Sequence, residues 1–171
     1  SLVNPALLDY KKDGCEVYNS AKMTLEEVIA VMAPAAKAGK TVVRLHTGDP
    51  CLYGAHREQM DELDRLGLAY EVCPGVSSFC GAAAALKAEY TLPNVSQSVI
   101  LTRMEGRTPV PEKEQIESFA AHGATMVIFL SAGQLARLSE RLLAGGYAPD
   151  TPAAIVYKAT SVSYTHLTLP T

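Results

Sequence analysis

Apolar residues fall along this chain in two alternating rhythms. Short runs rich in β-branched and apolar residues read as strands: Thr41-Val42-Val43-Arg44-Leu45, Tyr70-Glu71-Val72, Ser98-Val99-Ile100-Leu101, Thr125-Met126-Val127-Ile128-Phe129-Leu130 and Ala153-Ala154-Ile155-Val156-Tyr157. Between them, longer amphipathic stretches read as helices over Ala55 to Leu66, Ser77 to Leu86, Glu112 to Ala121 and Leu135 to Leu143. Strands alternating with helices predict an α/β fold, with a parallel sheet and crossover helices. Upstream, Thr24 followed by Glu27 makes a capping box, in which each side chain satisfies a backbone amide at the other's end of the first turn, so a helix starts there. Pro34 interrupts its apolar pattern and predicts a kink or an early stop, and Gly39 ends it.

Composition narrows the function classes. A chain of 171 residues with 48% apolar content can bury one sizeable core but is short for two full domains. The net charge of −3 comes with Lys and Arg scattered along the sequence. No basic stripe of the kind that phosphate backbones need is present, which argues against nucleic acid as a partner. Cys15, Cys51, Cys73 and Cys80 form no CxxC pair and have no His at zinc-ligand spacing, so neither a metal site nor a disulfide framework is expected. Reduced thiols, no membrane-length apolar run and no charged-then-apolar opening fit a cytoplasmic protein without a membrane partner.

Three loops could carry chemistry. Thr47-Gly48-Asp49-Pro50 lies between an expected strand and an expected helix, where open α/β sheets bind ligands outside the carboxyl ends of their strands. Glycine there permits close approach of a ligand, although Gly-Asp-Pro is equally an ordinary turn. Cys73-Pro74-Gly75-Val76-Ser77-Ser78 repeats the arrangement, with Ser77 or Ser78 capping the following helix. Neither loop is G-x-G-x-x-G or a Walker sequence, so a dinucleotide or triphosphate is not the natural occupant. Thr102-Arg103-Met104-Glu105-Gly106-Arg107-Thr108-Pro109 carries two cations near one carboxylate; it suits a polycarboxylate ligand, or is a solvated loop with an internal Arg-Glu pair. His46 and Tyr53 flank the first turn, and no Ser-His-Asp or Cys-His grouping can be assembled.

These residues carry a resemblance. Leu45-His46-Thr47-Gly48-Asp49-Pro50-Cys51-Leu52-Tyr53-Gly54 and Val76-Ser77-Ser78-Phe79 resemble the tetrapyrrole methylases as a whole. Ser1-Leu2-Val3-Asn4-Pro5, Met23-Thr24-Leu25-Glu26-Glu27, Leu101 through Pro109 and Val127-Ile128-Phe129-Leu130-Ser131 are similar to the branch that methylates C-11 of precorrin-4 or cobalt-precorrin-4. The resemblance runs from Ser1 to about Ala159. It implies a class III methyltransferase fold of two α/β domains with S-adenosylmethionine in the cleft between them, working as a homodimer in cobalamin biosynthesis. It further implies cofactor contacts at Thr47, Gly48, Asp49, Tyr53, Ser77, Ser78, Leu130 and Ala154. Arg103 and Arg107, from their charge, become clamps for the acetate and propionate carboxylates of the tetrapyrrole. No general base can be named, because positioning a reactive cofactor against an electron-rich carbon does most of the work.

The same resemblance divides the chain into an N-terminal α/β domain over residues 1–93, the start of a C-terminal α/β domain over 94–159, and a tail over 160–171. Relative to the family, a first strand with its Gly-Pro-Gly-Asp-Pro loop is expected to be missing, as are the last strands. Residues 160–171 hold four Thr and two Ser with no Lys, Arg or carboxylate. They read as a foreign tail, or, from their alternation, as a hairpin edge. Alternatives within the family are a methyltransferase for another precorrin or for uroporphyrinogen III; outside catalysis, the alternative is an incomplete fragment that binds S-adenosylmethionine without turnover. Nothing in the residues encodes metal insertion, so a cobalt-containing and a metal-free substrate both stay open.

Overall fold

The computed structural model describes residues 3–157 and the strand at 165–169. It divides into two units, Ser1–Ser78 and Phe79–Thr171, so the division comes earlier in the chain than the expected one at residue 93.

In the first unit, helix α1 spans Leu25–Lys37 behind the expected capping box: Thr24 Oγ1 accepts the Glu27 N–H at 3.3 Å, and Glu27 Oε2 accepts the Thr24 N–H at 2.8 Å. Pro34 does not stop α1, which runs on to Lys37. The helix closes instead at Gly39, whose φ of 73° lets Lys40 N–H reach back to Ala35 O at 3.0 Å. Helix α2, Arg57–Arg65, ends the same way at Gly67, and Leu68 N–H reaches Leu63 O at 2.9 Å. These two helices bury Ile29, Ala33 and Leu63, with Leu25, Met32, Leu66 and Leu68 packed around them.

Residues 41–45 and 70–72, expected as strands, join no ladder with any described residue. A segment becomes a strand only when a neighbour supplies its hydrogen-bonded ladder, and β-propensity alone does not provide one. Val43, Leu45 and Val72 are exposed accordingly.

The second unit opens with α3, Ser78–Leu86, whose first residue still belongs to the preceding unit. Phe79 stands edge-on to Phe129 at 6.3 Å, and its carbonyl accepts the Tyr90 hydroxyl at 2.6 Å. Strand β1, Val99–Arg103, pairs in parallel with β2, Thr125–Phe129, in the register Val99 opposite Thr125 through Arg103 opposite Phe129. The crossover between them carries α4, Ile116–Ala120, a shorter helix than the Glu112 to Ala121 expected. Gln115, extended at φ −63° and ψ 149°, separates α4 from a single 3-10 turn at Glu112–Glu114. Helix α5, Leu135–Ala144, lies against α4 so closely that a Cβ on Gly145 would fall 2.7 Å from the Glu117 carbonyl oxygen. Ile116, Ala120, Ala124 and Met104 are buried in this layer. Strand β3, Ala153–Tyr157, pairs antiparallel with β4, Thr165–Leu169, so part of the segment expected to be a foreign tail forms the hairpin that its alternation permits.

Candidate functional site

In the first unit, two turns separated in sequence by α2 lie backbone against backbone. Gly48 has φ 66°, and a Cβ there would fall 3.1 Å from Ser77 Cα; a Cβ on Gly75 would fall 2.6 Å from the Gly48 carbonyl oxygen. Neither glycine can gain a side chain without parting the turns. Asp49 closes the joint. Its Oδ1 accepts the Cys51 N–H at 2.9 Å and its Oδ2 accepts the Gly75 N–H at 3.0 Å. The hydrogen bond with the Cys51 side chain, then those from the Cys51 and Gly75 amides, hold the Asp49 carboxyl down at about 2, from 3.8. The same contact pushes the Cys51 thiol up.

Past Pro50 the chain curls back on itself, and a Cβ on Gly54 would overlap the Pro50 carbonyl. Tyr53 and Ala55 on either side take left-handed backbone at φ 56° and 48°. Each such residue costs roughly 1–2 kcal/mol, and such positions cluster at functional sites. Buried Gln59 holds this bend: its Nε2 donates to Ala55 O at 3.1 Å while its Oε1 accepts from Arg44 Nε at 3.0 Å. His46 packs edge-on to His56 at 5.9 Å; burial, then the neighbouring Arg44 and His56, lowers its pKa. Thr47, Gly48 and Ser78 face outward, whereas Ser77 is buried beneath them.

In the second unit, the carboxyl ends of β1 and β2 are tied by Ser131, which is 2% exposed. Its hydroxyl donates to Phe129 O at 2.7 Å and accepts the Met104 N–H at 3.0 Å. Between these anchors Leu130 is thrown outward at φ 56°, 72% exposed, which is why β2 ends one residue before the expected limit. Leu130, Arg103, Met104, Gly106, Arg107, Thr108 and Gln134 line an open cavity of about 430 Å³. Strand-end loops of a parallel pair are the usual place for ligands in such folds.

The two arginines of this loop do different things. Arg103 turns back on its own loop: Nη1 donates to Met104 O at 3.0 Å and Thr108 O at 3.3 Å, and Nη2 donates to Thr108 Oγ1 at 2.9 Å and Pro109 O at 3.0 Å. Arg107 is exposed on the cavity lip and has no hydrogen bond or ion pair among the described residues. Glu105 pairs with neither. It bridges to Arg137 and to Arg141, the latter at 2.7 Å, while Arg141 also grips Glu117 at 2.6 Å and Gln115. Arg141, 12% exposed, thereby bolts the loop, α4 and α5 together. Hydrogen bonds to Glu117 and Glu105 raise its pKa, and Glu117 is lowered in turn, by Arg141 first.

Thr47, Gly48, Asp49, Tyr53, Ser77 and Ser78 thus gather in the first unit, and Arg103, Arg107 and Leu130 gather in the second. Ala154 stands apart from the cavity lining, in β3 opposite Thr168. Sequence reasoning missed Ser131, Gln59 and Arg141. Arg137 and Arg141, four residues apart on one face of a helix, were the available signal for a shared acidic partner. Among the described residues no group of three or more His, Cys, Asp or Glu could hold a metal ion.

The family model for Tetrapyrrole (Corrin/Porphyrin) Methylases matches residues 1–168. The chain is 55% identical over 159 residues to the cobalt-precorrin-4 C(11)-methyltransferase of Methanocaldococcus jannaschii, covering 93% of this chain and 61% of that protein. It is 48% identical over 160 residues to the enzyme of the same name from Priestia megaterium, covering 94% and 62%. It superposes with a TM-score of 0.96 on the solved structure of a cobalt precorrin-4 methyltransferase, described as a cobalamin biosynthetic enzyme, at 45% identity over 99% of this chain and 71% of that one. A uroporphyrin-III C-methyl transferase from Thermus thermophilus, solved with S-adenosyl homocysteine, shares the fold at a TM-score of 0.69 and 24% identity, over 85% of this chain and 63% of that one. The chain spans about three fifths of the length of the curated relatives it matches, 61% and 62% of these two. It belongs to the tetrapyrrole methylases and has their fold.

Proposed function

We propose that this tetrapyrrole methylase serves the S-adenosylmethionine-dependent transfer of a methyl group to C-11 of precorrin-4 or cobalt-precorrin-4 in cobalamin biosynthesis. The observation that carries the reading is the 55% identity to a C-11 methyltransferase across 93% of the chain. A uroporphyrinogen-III C-methyltransferase of Pseudomonas aeruginosa, the alternative within the family, reaches only 32%.

The residues suit the cofactor. Thr47, Gly48 and Ser78 present hydroxyl and peptide groups on an exposed rim, and Asp49 with buried Ser77 keeps that rim rigid, which is what a bound ribose and amino-carboxylate require. We assign cofactor contact in the first unit to Thr47, Gly48, Tyr53 and Ser78, with Asp49 and Ser77 as the residues that hold their rim; for Leu130, just beyond β2, and Ala154, in β3, the assignment rests on the family resemblance alone. When bound, S-adenosylmethionine supplies a sulfonium methyl group to an electron-rich carbon. The protein's part is to hold donor and acceptor in line and exclude water. The cavity beside Arg103 and Arg107 fits the carboxylate-edged rim of the tetrapyrrole, since guanidinium groups take carboxylates in charge-assisted pairs. We further propose that the enzyme acts as a homodimer in the cytoplasm, the latter supported by four free cysteines.

The test is methyl transfer from ¹³C-methyl-labelled S-adenosylmethionine by the intact enzyme, offered precorrin-4, cobalt-precorrin-4 and uroporphyrinogen III separately. Label at C-11 of one of the first two is expected. Label appearing only on uroporphyrinogen III, or on none, would overturn the reading.

A further inference from the structure

We propose that the two arginines of the second-unit loop are not equivalent clamps: Arg107 is the ligand-contacting cation and specificity determinant for a carboxylate, and Arg103 is a positioning residue that sets the loop for it. The inference rests on the tetrapyrrole reading above and divides a role that charge alone assigned to both.

The geometry separates them. All four terminal N–H bonds of Arg103 are directed at Met104 O, Thr108 O, Thr108 Oγ1 and Pro109 O, between 2.9 and 3.3 Å. A guanidinium fork so occupied has no face left for a bidentate carboxylate. Its four bonds draw both ends of the loop together, and Gly106 N–H to Thr108 O at 3.3 Å closes the tip. That tip carries Arg107. Every other arginine of the chain has a side-chain partner: Arg44 has Gln59, Arg57 has Asp61, Arg65 has Glu62, Arg137 and Arg141 have Glu105. Arg107 has none among the described residues and lines the cavity. Glu105, the acid nearest to it in sequence, is taken by Arg137 and Arg141, so it does not neutralise the lip. An unpaired cation at a cavity mouth, held on a loop whose other charged side chains, Arg103 and Glu105, are already engaged by hydrogen bonds and ion pairs, is built for an anionic ligand that arrives from outside.

The two roles respond differently to lysine. A point charge can replace Arg107 at an exposed contact, whereas no lysine can reproduce the four-bond fork of Arg103. The experiment uses the intact enzyme, with uroporphyrin III as a polycarboxylate probe followed by its fluorescence, S-adenosylmethionine affinity by calorimetry, and methyl-transfer kinetics on precorrin-4. Arg107→Ala is expected to raise the Kd of uroporphyrin III and the KM about three- to tenfold, as for loss of one charge-assisted contact, with kcat and S-adenosylmethionine affinity little changed. Arg107→Lys should recover most of this. Arg103→Lys should behave like Arg103→Ala, lowering kcat more than it raises KM and speeding amide exchange at Gly106. Full rescue by Arg103→Lys, or an unchanged Kd in Arg107→Ala, would overturn the proposal even where the wild type binds both ligands. A wild type that binds S-adenosylmethionine but no tetrapyrrole would overturn the tetrapyrrole reading and this proposal together.

Discussion

The interlocked turns of the first unit and the Arg103–Thr108 loop of the second are both rigid loops at candidate ligand sites, yet they are rigid for opposite reasons. The turns are held by backbone: two glycines at near-contact distances and one carboxylate taking two amides. The loop is held by side chains: a saturated guanidinium inside it and an ion network behind it. Backbone contact leaves no tolerance for a methyl group but is indifferent to salt. A side-chain network tolerates small steric changes but depends on charge pairing. The difference assigns each region its own way to fail.

The largest effect should come from Gly75→Ala. Its methyl would arrive 2.6 Å from the Gly48 carbonyl oxygen, with only backbone to give way. Overpacking of this kind costs about 3 kcal/mol. Because the turns must part, S-adenosylmethionine affinity should fall more than tenfold while uroporphyrin III affinity changes little. Calorimetry and thermal melting check it; a variant with wild-type melting and cofactor affinity would show that the turns are not locked by their glycines.

Next comes Arg141→Met, which keeps the aliphatic packing of a side chain only 12% exposed and removes its charge. Glu117 then loses its cation, and Glu105 is left with Arg137 alone. Breaking a mostly buried pair from one side costs several kcal/mol; with Glu105 and Glu117 at 28% and 39% exposure, screening reduces this to about 2 kcal/mol. The wild type should also lose stability as salt rises, and the variant should not. A variant as salt-sensitive as the wild type would mean that the network does not hold the loop.

The same contrast explains what could be read in the sequence. Regular elements were legible where local chemistry decided them: the Thr24–Glu27 box, the Gly39 stop, and the apolar runs that became β1, β2 and β3. Residues 41–45 were not, because a strand needs a partner that composition does not reveal. The split of Glu112 to Ala121 into a turn and α4 likewise escaped notice, since Gln115 is drawn out to meet Arg141 across 26 residues of chain. Candidate site residues were legible as motifs while their tasks were not. Asp49 and Arg103 were read as facing ligands, and both direct their polar atoms at neighbouring backbone. A sequence shows which groups are present at a strand end; only the folded chain shows which of them already have partners.

Asp49→Asn gives the smallest effect and the sharpest one in pH. The native carboxyl titrates near 2 rather than 3.8, so the folded state prefers the ionised form. Stability from this group is therefore fully present above about pH 4 and is lost as pH falls toward 2, as for any acid whose folded pKa is depressed. Asparagine keeps one acceptor for the Cys51 amide but turns a donor, or a flipped and incomplete pairing, toward Gly75, and it cannot titrate. At neutral pH the variant should melt slightly below the wild type. Between pH 4 and pH 2 the two melting curves should converge, because the wild type loses by protonation what the variant already lacks. Paired thermal melts across that range decide the matter: a gap that stays constant down to pH 2 would mean that the turns are held by their glycines alone, and that the carboxylate merely occupies the space between them.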